Sequence, residues 1–562
     1  MKRLNLLTKL LMAIGLYTTA TTAQDAIIGP ADMIIWEGNI YTADDNNPNV
    51  EAVAVKDGII VYAGNKRGAN AYMDTSTTVI SLSGASMYPG FTDGHAHIAG
   101  VGERELTLNL EGTASITALK QTIAEWHKMH QGEILFGRGW IETHWPEKRF
   151  PSRWDLDEII SDIPVILARA DGHAMVANSA ALKAAGITSD TKVPFGGDIL
   201  KNALGEPTGI LIDAAMSLVT PLLPTMTDER RAQALAKGSE VYAKYGWTGT
   251  HSMSTPWAEV PIMERLADEA IMKIRVYNSV DMGDAGKLFE SGPRSSNNGR
   301  IITRAIKMYM DGALGSRGAA LIEPYSDANT HGLIMMKEGD ALPIMRRALM
   351  DGLQINTHAI GDMGNRLVLD WYQKTFAEVP TEARKLANPR WRIEHAQVIN
   401  PADIPRFNQM GVIPSMQPSH AIGDMHFAPA RLSDNRLYGA YAWKSLINSG
   451  VIVVGGSDAP VERGDPRIEF YAAVARKDTT GFSADNWHEE EAVTREEALK
   501  MFTLWPAQAS FQEDSLGSIT VGKRADFTAF SGDIMTMPEA SILTTNVVLT
   551  IVDGEIIYAE KY

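Results

Sequence analysis

Gly90-Phe91-Thr92-Asp93-Gly94-His95-Ala96-His97 is the stretch from which the fold is read. The run of small and apolar residues from Gly84 to Phe91 reads as a strand, and two histidines follow it with one residue between them. On an extended backbone, side chains two residues apart point to the same side. His95 and His97 can therefore aim two imidazoles at one point just past the strand. Neutral imidazole is the commonest metal ligand among side chains.

Seven further strand-like runs follow, separated by helical patterns, and most end on a polar residue able to do chemistry. Gly246 to Thr250 leads to His251, and Lys273 to Tyr277 carries no such residue. Arg304 to Met310 holds Lys307 in apolar surroundings. Gln354 to Thr357 leads to His358, Trp391 to Glu394 to His395, Gly411 to Met416 to Gln417, and Val451 to Ser457 to Asp458. Strands alternating with helices indicate βα units and a parallel sheet. Eight such units with titratable groups at the strand ends describe a (β/α)8 barrel, whose chemistry sits on that face.

Residues outside this set have a different texture. Residues 27–85 and 511–562 read as short strands and turns, with Asp57-Gly58 and Asp553-Gly554 as hairpin signals. Both ends read as pieces of one small β domain flanking residues 86–510. The segment from about 104 to 245 is too long for one βα connection and reads as a large insertion after the first barrel strand. Gly517 to Lys523 has the spacing of a phosphate loop, but Arg524 stands where Ser or Thr is required.

Composition narrows the function. A net charge of −16 over 562 residues argues against nucleic acid, and the chain has no cysteine for thiolate ligands or disulfides. Residues 1–23 place Lys2, Arg3 and Lys9 before the apolar run Leu10 to Leu16, then Thr21-Thr22-Ala23. That order reads as a secretory signal peptide, with the bacterial periplasm as the expected location and no stable membrane anchor after its removal.

Several phrases are more specific. They are Gly139-Trp140 with His144-Trp145-Pro146; Asp171-Gly172-His173-Ala174; Asp311 to Arg317; His358-Ala359-Ile360-Gly361-Asp362; Arg392-Ile393-Glu394-His395; and Gly456 to Val461. With His95, His97 and Lys307, they resemble the YtcJ-like branch of the amidohydrolase superfamily (amidohydrolase family 3), which includes N-substituted formamide deformylases. One departure is Ser252-Met253, where members often carry His-Asp.

The resemblance implies an α/β fold, a distorted (β/α)8 TIM barrel over 86–510 beside a β-sandwich built from both chain ends, 27–85 and 511–562. It implies one or two divalent metal ions, most simply Zn2+. His95, His97 and Asp458 would hold one, His358 and His395 the second, with a carboxylated Lys307 between them. The implied chemistry is attack of a metal-activated water on an amide-type bond of a small molecule, with Asp458 as general base. His251 and His173 are expected to stabilise the oxyanion or orient substrate; Trp140, Trp145 and Arg317 are expected to contact it. His420 and His426, after strand seven, are open between a substrate contact and none. A peptidase, a lactonase and a non-catalytic regulatory protein are the competing readings, and a homodimer is among the open oligomeric states.

Overall fold

The computed structural model describes residues 29–560 apart from 131, 143–144, 171, 173, 195–196 and 486. The signal-peptide reading of residues 1–23 and the candidates His144, Asp171 and His173 thus lie outside the described residues.

Eight parallel strands form the barrel: Phe91–Ala96, Trp247–Thr255, Arg275–Asp281, Ile301–Tyr309, Gln354–Ala359, Arg392–His395, Ile413–Met416 and Val454–Gly455, each paired with the next. Their buried, β-branched and apolar runs suit strands covered on both faces. Each strand after the first is fed by a helix with readable punctuation. Asp228–Tyr245 starts where the Thr227 hydroxyl accepts from the Arg230 amide and stops at Gly246, φ 98°, one residue before strand two.

The last and first strands close the barrel without a regular ladder. The Asp458 amide donates to the His95 carbonyl at 2.7 Å, and the His97 amide donates to the Ala459 carbonyl at 2.8 Å. Gly94 makes this approach possible, since a Cβ there would lie 2.2 Å from Val454 Cγ1. Asp93 fastens the same seam: it accepts from the His95 and Ser457 amides at 3.1 and 2.9 Å and from the Ser457 hydroxyl at 2.6 Å.

The run from Gly84 to Phe91 is not one strand. It divides at Gly90, with Ser86–Pro89 in a different sheet and Phe91–Ala96 opening the barrel, so His95 lies inside a strand rather than after one. That other sheet has eight strands drawn from both chain ends, and Ser86–Pro89 pairs with Phe527–Phe530 near its middle. Its hairpins turn at Asp57-Gly58 and Asp553-Gly554, both residues of each pair having positive φ, as a two-residue hairpin loop of that type demands.

The insertion carries a six-stranded sheet of its own between Leu108 and Asp213, with a separate core. The helix Ile98–Leu106 precedes it and packs on Asp228–Tyr245, which brings the chain back to the barrel. Among the described residues no helix is long and apolar enough to cross a membrane.

Candidate metal centre

The C-terminal ends of the barrel strands bring His95, His97, Lys307, His358, His395 and Asp458 together, and strand seven adds His420. His395 (φ 71°) and Asp458 (φ 61°) are in the left-handed region, where a residue with a Cβ is strained. Such strain is characteristic of functional positions held by their surroundings.

Asp458 is the hub. Its Oδ1 lies 3.1 Å from His97 Nε2 and 3.4 Å from His95 Nε2, and its Oδ2 lies 3.6 Å from His420 Nε2. The His395 ring sits 4.7 Å from that of His95 and 4.5 Å from that of His358, centre to centre. Two sets have ligand atoms within 4.8 Å of one another: His95, His97 and Asp458, and His395, His420 and Asp458.

The opposite ring nitrogens show how each imidazole is aimed. His95 Nδ1 donates to Glu394 at 2.6 Å, His97 Nδ1 to the Met253 carbonyl at 3.1 Å, and His395 Nδ1 to Gln417 Oε1 at 2.8 Å. Each partner puts the proton on Nδ1 and leaves Nε2 as a bare lone pair facing inward. Among the described residues the buried Nε2 atoms of His95, His358 and His420 have no hydrogen-bond partner. Buried polar atoms are rarely left unmet, so three convergent ones fit a cation.

Electrostatics favour the same species. Burial, then the charge of Lys307, holds His95 well below the usual histidine range and His358 down at about 3; burial and His358 do the same for His395. All three are neutral, the form that ligates metal. Burial opposes ionisation of Asp458, while the hydrogen bond with His97 and any positive charge gained by the surrounding imidazoles pull its carboxyl well below the ordinary range. Burial lowers Lys307, whose Nζ lies 5.1 Å from the Tyr309 ring centre. Burial raises Asp311, on the strand-four loop, to about 7 against three backbone amides from Ala320, Ile360 and Gly361.

Four expected site residues fall elsewhere. Strand two continues to Thr255, so His251 is in mid-strand rather than at an end. There it accepts from Arg392 Nη1 at Nδ1, 2.6 Å away. Trp140 and Trp145 do not roof a pocket. They lie in the insertion's core, their indoles donating to the carbonyls of Leu167 and Thr113 at 2.9 and 2.6 Å. The insertion's own sheet buries these large apolar rings instead. Arg317, with φ 60°, spends its guanidinium on both oxygens of Asp327 at 3.0 and 2.8 Å.

Other residues gain roles. Arg392 lies in the barrel interior and donates to the Gly94 carbonyl at 2.6 Å, the Ser415 hydroxyl at 2.7 Å and Glu394 Oε2 at 3.1 Å, besides His251. It thereby joins strands one, two, six and seven and fixes the carboxylate that orients His95. The signal was present in the sequence. Arg392 and Glu394 are opposite charges two residues apart, on the same side of a strand, and such charges are buried only when paired.

A cleft of about 500 Å³ runs between the insertion and the loops after strands seven and eight. Arg138 and Ile141 line one wall, Ile422, Val461 and Glu462 the other. Ser419 and Pro460 on its lining are next in sequence to His420 and two residues after Asp458, which sets the cleft beside the metal centre.

Comparison with known proteins agrees with this geometry. The model of the amidohydrolase family matches residues 78–558. The chain is 34% identical over 540 residues to YtcJ of Bacillus subtilis (strain 168), covering 94% of this chain and 99% of that one. It is 27% identical to the N-substituted formamide deformylase of Arthrobacter pascens over 547 residues, 94% and 98% of the two chains. A crystal structure of an uncharacterised metal-dependent hydrolase from Pyrococcus horikoshii superposes with a TM-score of 0.75 at 25% identity, covering 90% of this chain and 99% of that one.

Proposed function

The chain belongs to the amidohydrolase family, and from that premise we propose that it hydrolyses an amide-type C–N bond, N-formyl or N-acyl, in a small molecule. The observation that carries this reading is Asp458 with the Nε2 atoms of His95, His97 and His420 converging on its two oxygens. The deformylase similarity over 94% of the chain supports the bond type.

His95, His97 and Asp458 would hold one divalent cation, and His358 and His395 a second, with Zn2+ favoured by all-nitrogen-and-oxygen ligation. A cation there supplies Lewis acidity and lowers the pKa of a water to near neutral. Lys307 is a candidate for carboxylation: burial lowers its pKa, and only the neutral amine reacts with CO2.

The residues of this chain account for the proton traffic. Asp458 accepts a proton from the attacking water at its carboxylate and delivers it to the departing nitrogen. Glu394 and Gln417 keep the protons of His95 and His395 on Nδ1, so neither ring tumbles between tautomers during turnover. Substrate reaches the centre along the cleft, where Ile141, Ile422 and Val461 offer apolar contact beside the polar Arg138 and Glu462.

A screen of the purified, metal-loaded protein tests the proposal, using N-substituted formamides, N-acyl amino acids, dipeptides and lactones. Release of an amine from the first two classes is expected. Turnover confined to lactones or dipeptides would overturn the bond assignment.

A further inference from the structure

We propose that the cleft beside the metal centre selects substrates that carry a carboxylate, held by Arg138 and Arg104, so that the favoured amides are acids such as N-acyl amino acids. The inference rests on the proposed amide hydrolysis and goes beyond it by naming a group that the substrate carries away from the reacting bond.

Arg138 sits half-buried on the strand Leu135–Trp140 of the insertion and lines the cleft. Its one hydrogen bond among the described residues runs from Nη2 to the Ala170 carbonyl, at a long 3.4 Å. Among the described residues it forms no ion pair, and Glu111 acts on it only through its field. A guanidinium presents five donors in a planar fork that matches a carboxylate with two parallel hydrogen bonds. Arg104 lines the same cleft and is only 4% exposed. Its Nε donates to Glu105 at 3.2 Å, and its Nη1 donates to the carbonyls of Glu462 and Arg463 at 3.4 and 3.1 Å. Those bonds pin it to the loop after strand eight. Burial, then the charge of Arg104, lowers the pKa of Arg138. A carboxylate docked between insertion and loop offsets both costs.

The acids of the cleft do not cancel its cations. Asp478 is engaged by His426 Nε2 at 3.3 Å and by the Thr480 hydroxyl at 2.6 Å. Burial pushes Glu462 up to about 7, so it is half-protonated near neutral pH. Glu111 remains, 3.9 Å from Arg104 Nη1, while Arg463 adds a third guanidinium to the lining. In a chain of net charge −16, such a concentration of arginine favours an anion. The charged wall also reaches the reaction. Glu111 acts on both Arg138 and Glu462, and Asp458 acts on Glu462. The volume of about 500 Å³ suits a small molecule that spans the two ends.

The metal-loaded protein is assayed on two acids, N-formylphenylalanine and N-succinylphenethylamine, and on their neutral counterparts, N-formylphenylalaninamide and N-butyrylphenethylamine. Wild type should favour at least one acid over its counterpart by about tenfold or more in kcat/KM. The acid preferred tells on which side of the scissile bond the carboxylate lies. Arg138→Gln should cut that ratio by about tenfold or more, and Arg138→Lys should keep part of it, since a point charge replaces the fork. Neutral amides turned over as well as the acids would overturn the selection and leave the proposed function standing. A wild-type ratio retained by folded Arg138→Gln would overturn the role of the arginine. A wild-type crystal holding the acid product needs no variant: its carboxylate at hydrogen-bond distance from Arg138 supports the inference, and a carboxylate on the metal ions alone overturns it. No turnover of any of these amides would remove the proposed function itself, and this inference with it.

Discussion

Glu394 Oε2 lies 2.6 Å from His95 Nδ1, with both side chains fully buried, and Arg392 grips the same carboxylate from behind at 2.8 Å. A carboxylate behind a metal-binding imidazole fixes its tautomer and raises its basicity. Glu394→Gln keeps the shape and removes the charge. We expect a folded variant whose affinity for the ion on His95 falls about 10- to 100-fold, the usual cost of losing such a partner. Chelator competition measures it, and unchanged affinity would reduce Glu394 to a packing role.

Asp458→Asn separates a proton acceptor from a turn residue. Asparagine retains the size but cannot take up the proton. With the variant shown to be folded and metal-loaded, kcat should drop by about 10²–10⁴-fold. The wild-type pH profile should also carry an acidic limb that the variant lacks, because protonation of Asp458 removes the acceptor, and the low position of its carboxyl puts that limb at acid pH. Turnover near the wild-type rate would remove the base assignment.

Lys307→Ala tests the carboxylated bridge. The variant should bind metal about 10- to 100-fold more weakly, by analogy with other supporting groups. Short carboxylic acids should restore part of the rate by occupying the vacated space. Full metal uptake by the variant without any added acid would argue against a bridging carbamate.

His358 gives a pH prediction with a definite sign. Its folded pKa is depressed to about 3 by burial and Lys307, below the ordinary histidine value. Its contribution is therefore fully present above about pH 6.5 and is lost as pH falls towards 3, because the unfolded chain gains the proton first. Asp93 and Asp311, which burial raises to about 6 and 7, titrate in the opposite sense, so the comparison is made against His358→Phe. Between pH 7 and pH 5, metal-free wild type should lose about 2 kcal/mol relative to that variant. Parallel urea titrations at the two pH values measure the difference, and a constant gap would contradict the buried neutral imidazole.

Export is tested on protein from the native host. Intact-mass measurement should find the mature chain starting near Gln24, after the charged, apolar and small residues of positions 1–23. Retention of Met1 on the abundant form would reverse that reading.

The sequence disclosed the site better than its surroundings. His95, His97, His358, His395 and Asp458 were legible because each follows an apolar run, and strand ends converge in a closed barrel. His251 was misplaced because Ser252-Met253-Ser254-Thr255 looks like the start of a loop, yet strand two runs through it. Trp140 and Trp145 were misread for another reason. A large apolar ring in an insertion fits a substrate cleft or a core equally well, and the choice depends on a sheet assembled over about a hundred residues. Arg392 could not be assigned at all, since its partners Gly94, His251 and Ser415 come from three other strands. The sequence indicates that a buried charge must be paired, and only the closed barrel says with what.

The seam between the first and last barrel strands also sets an order of events in synthesis. His97 and Asp458 are 361 residues apart, and the hydrogen bond from the Phe91 amide to the Thr528 hydroxyl spans 437. At roughly 5–20 residues per second, the histidine pair emerges tens of seconds before its carboxylate. Through that interval Ser86–Pro89 has no Phe527–Phe530 beside it, and the imidazoles have no anion to gather around. A ribosome-bound chain can thus display the two-histidine motif long before Asp458 exists, and the seam that brings them together can close only after Asp458 has emerged.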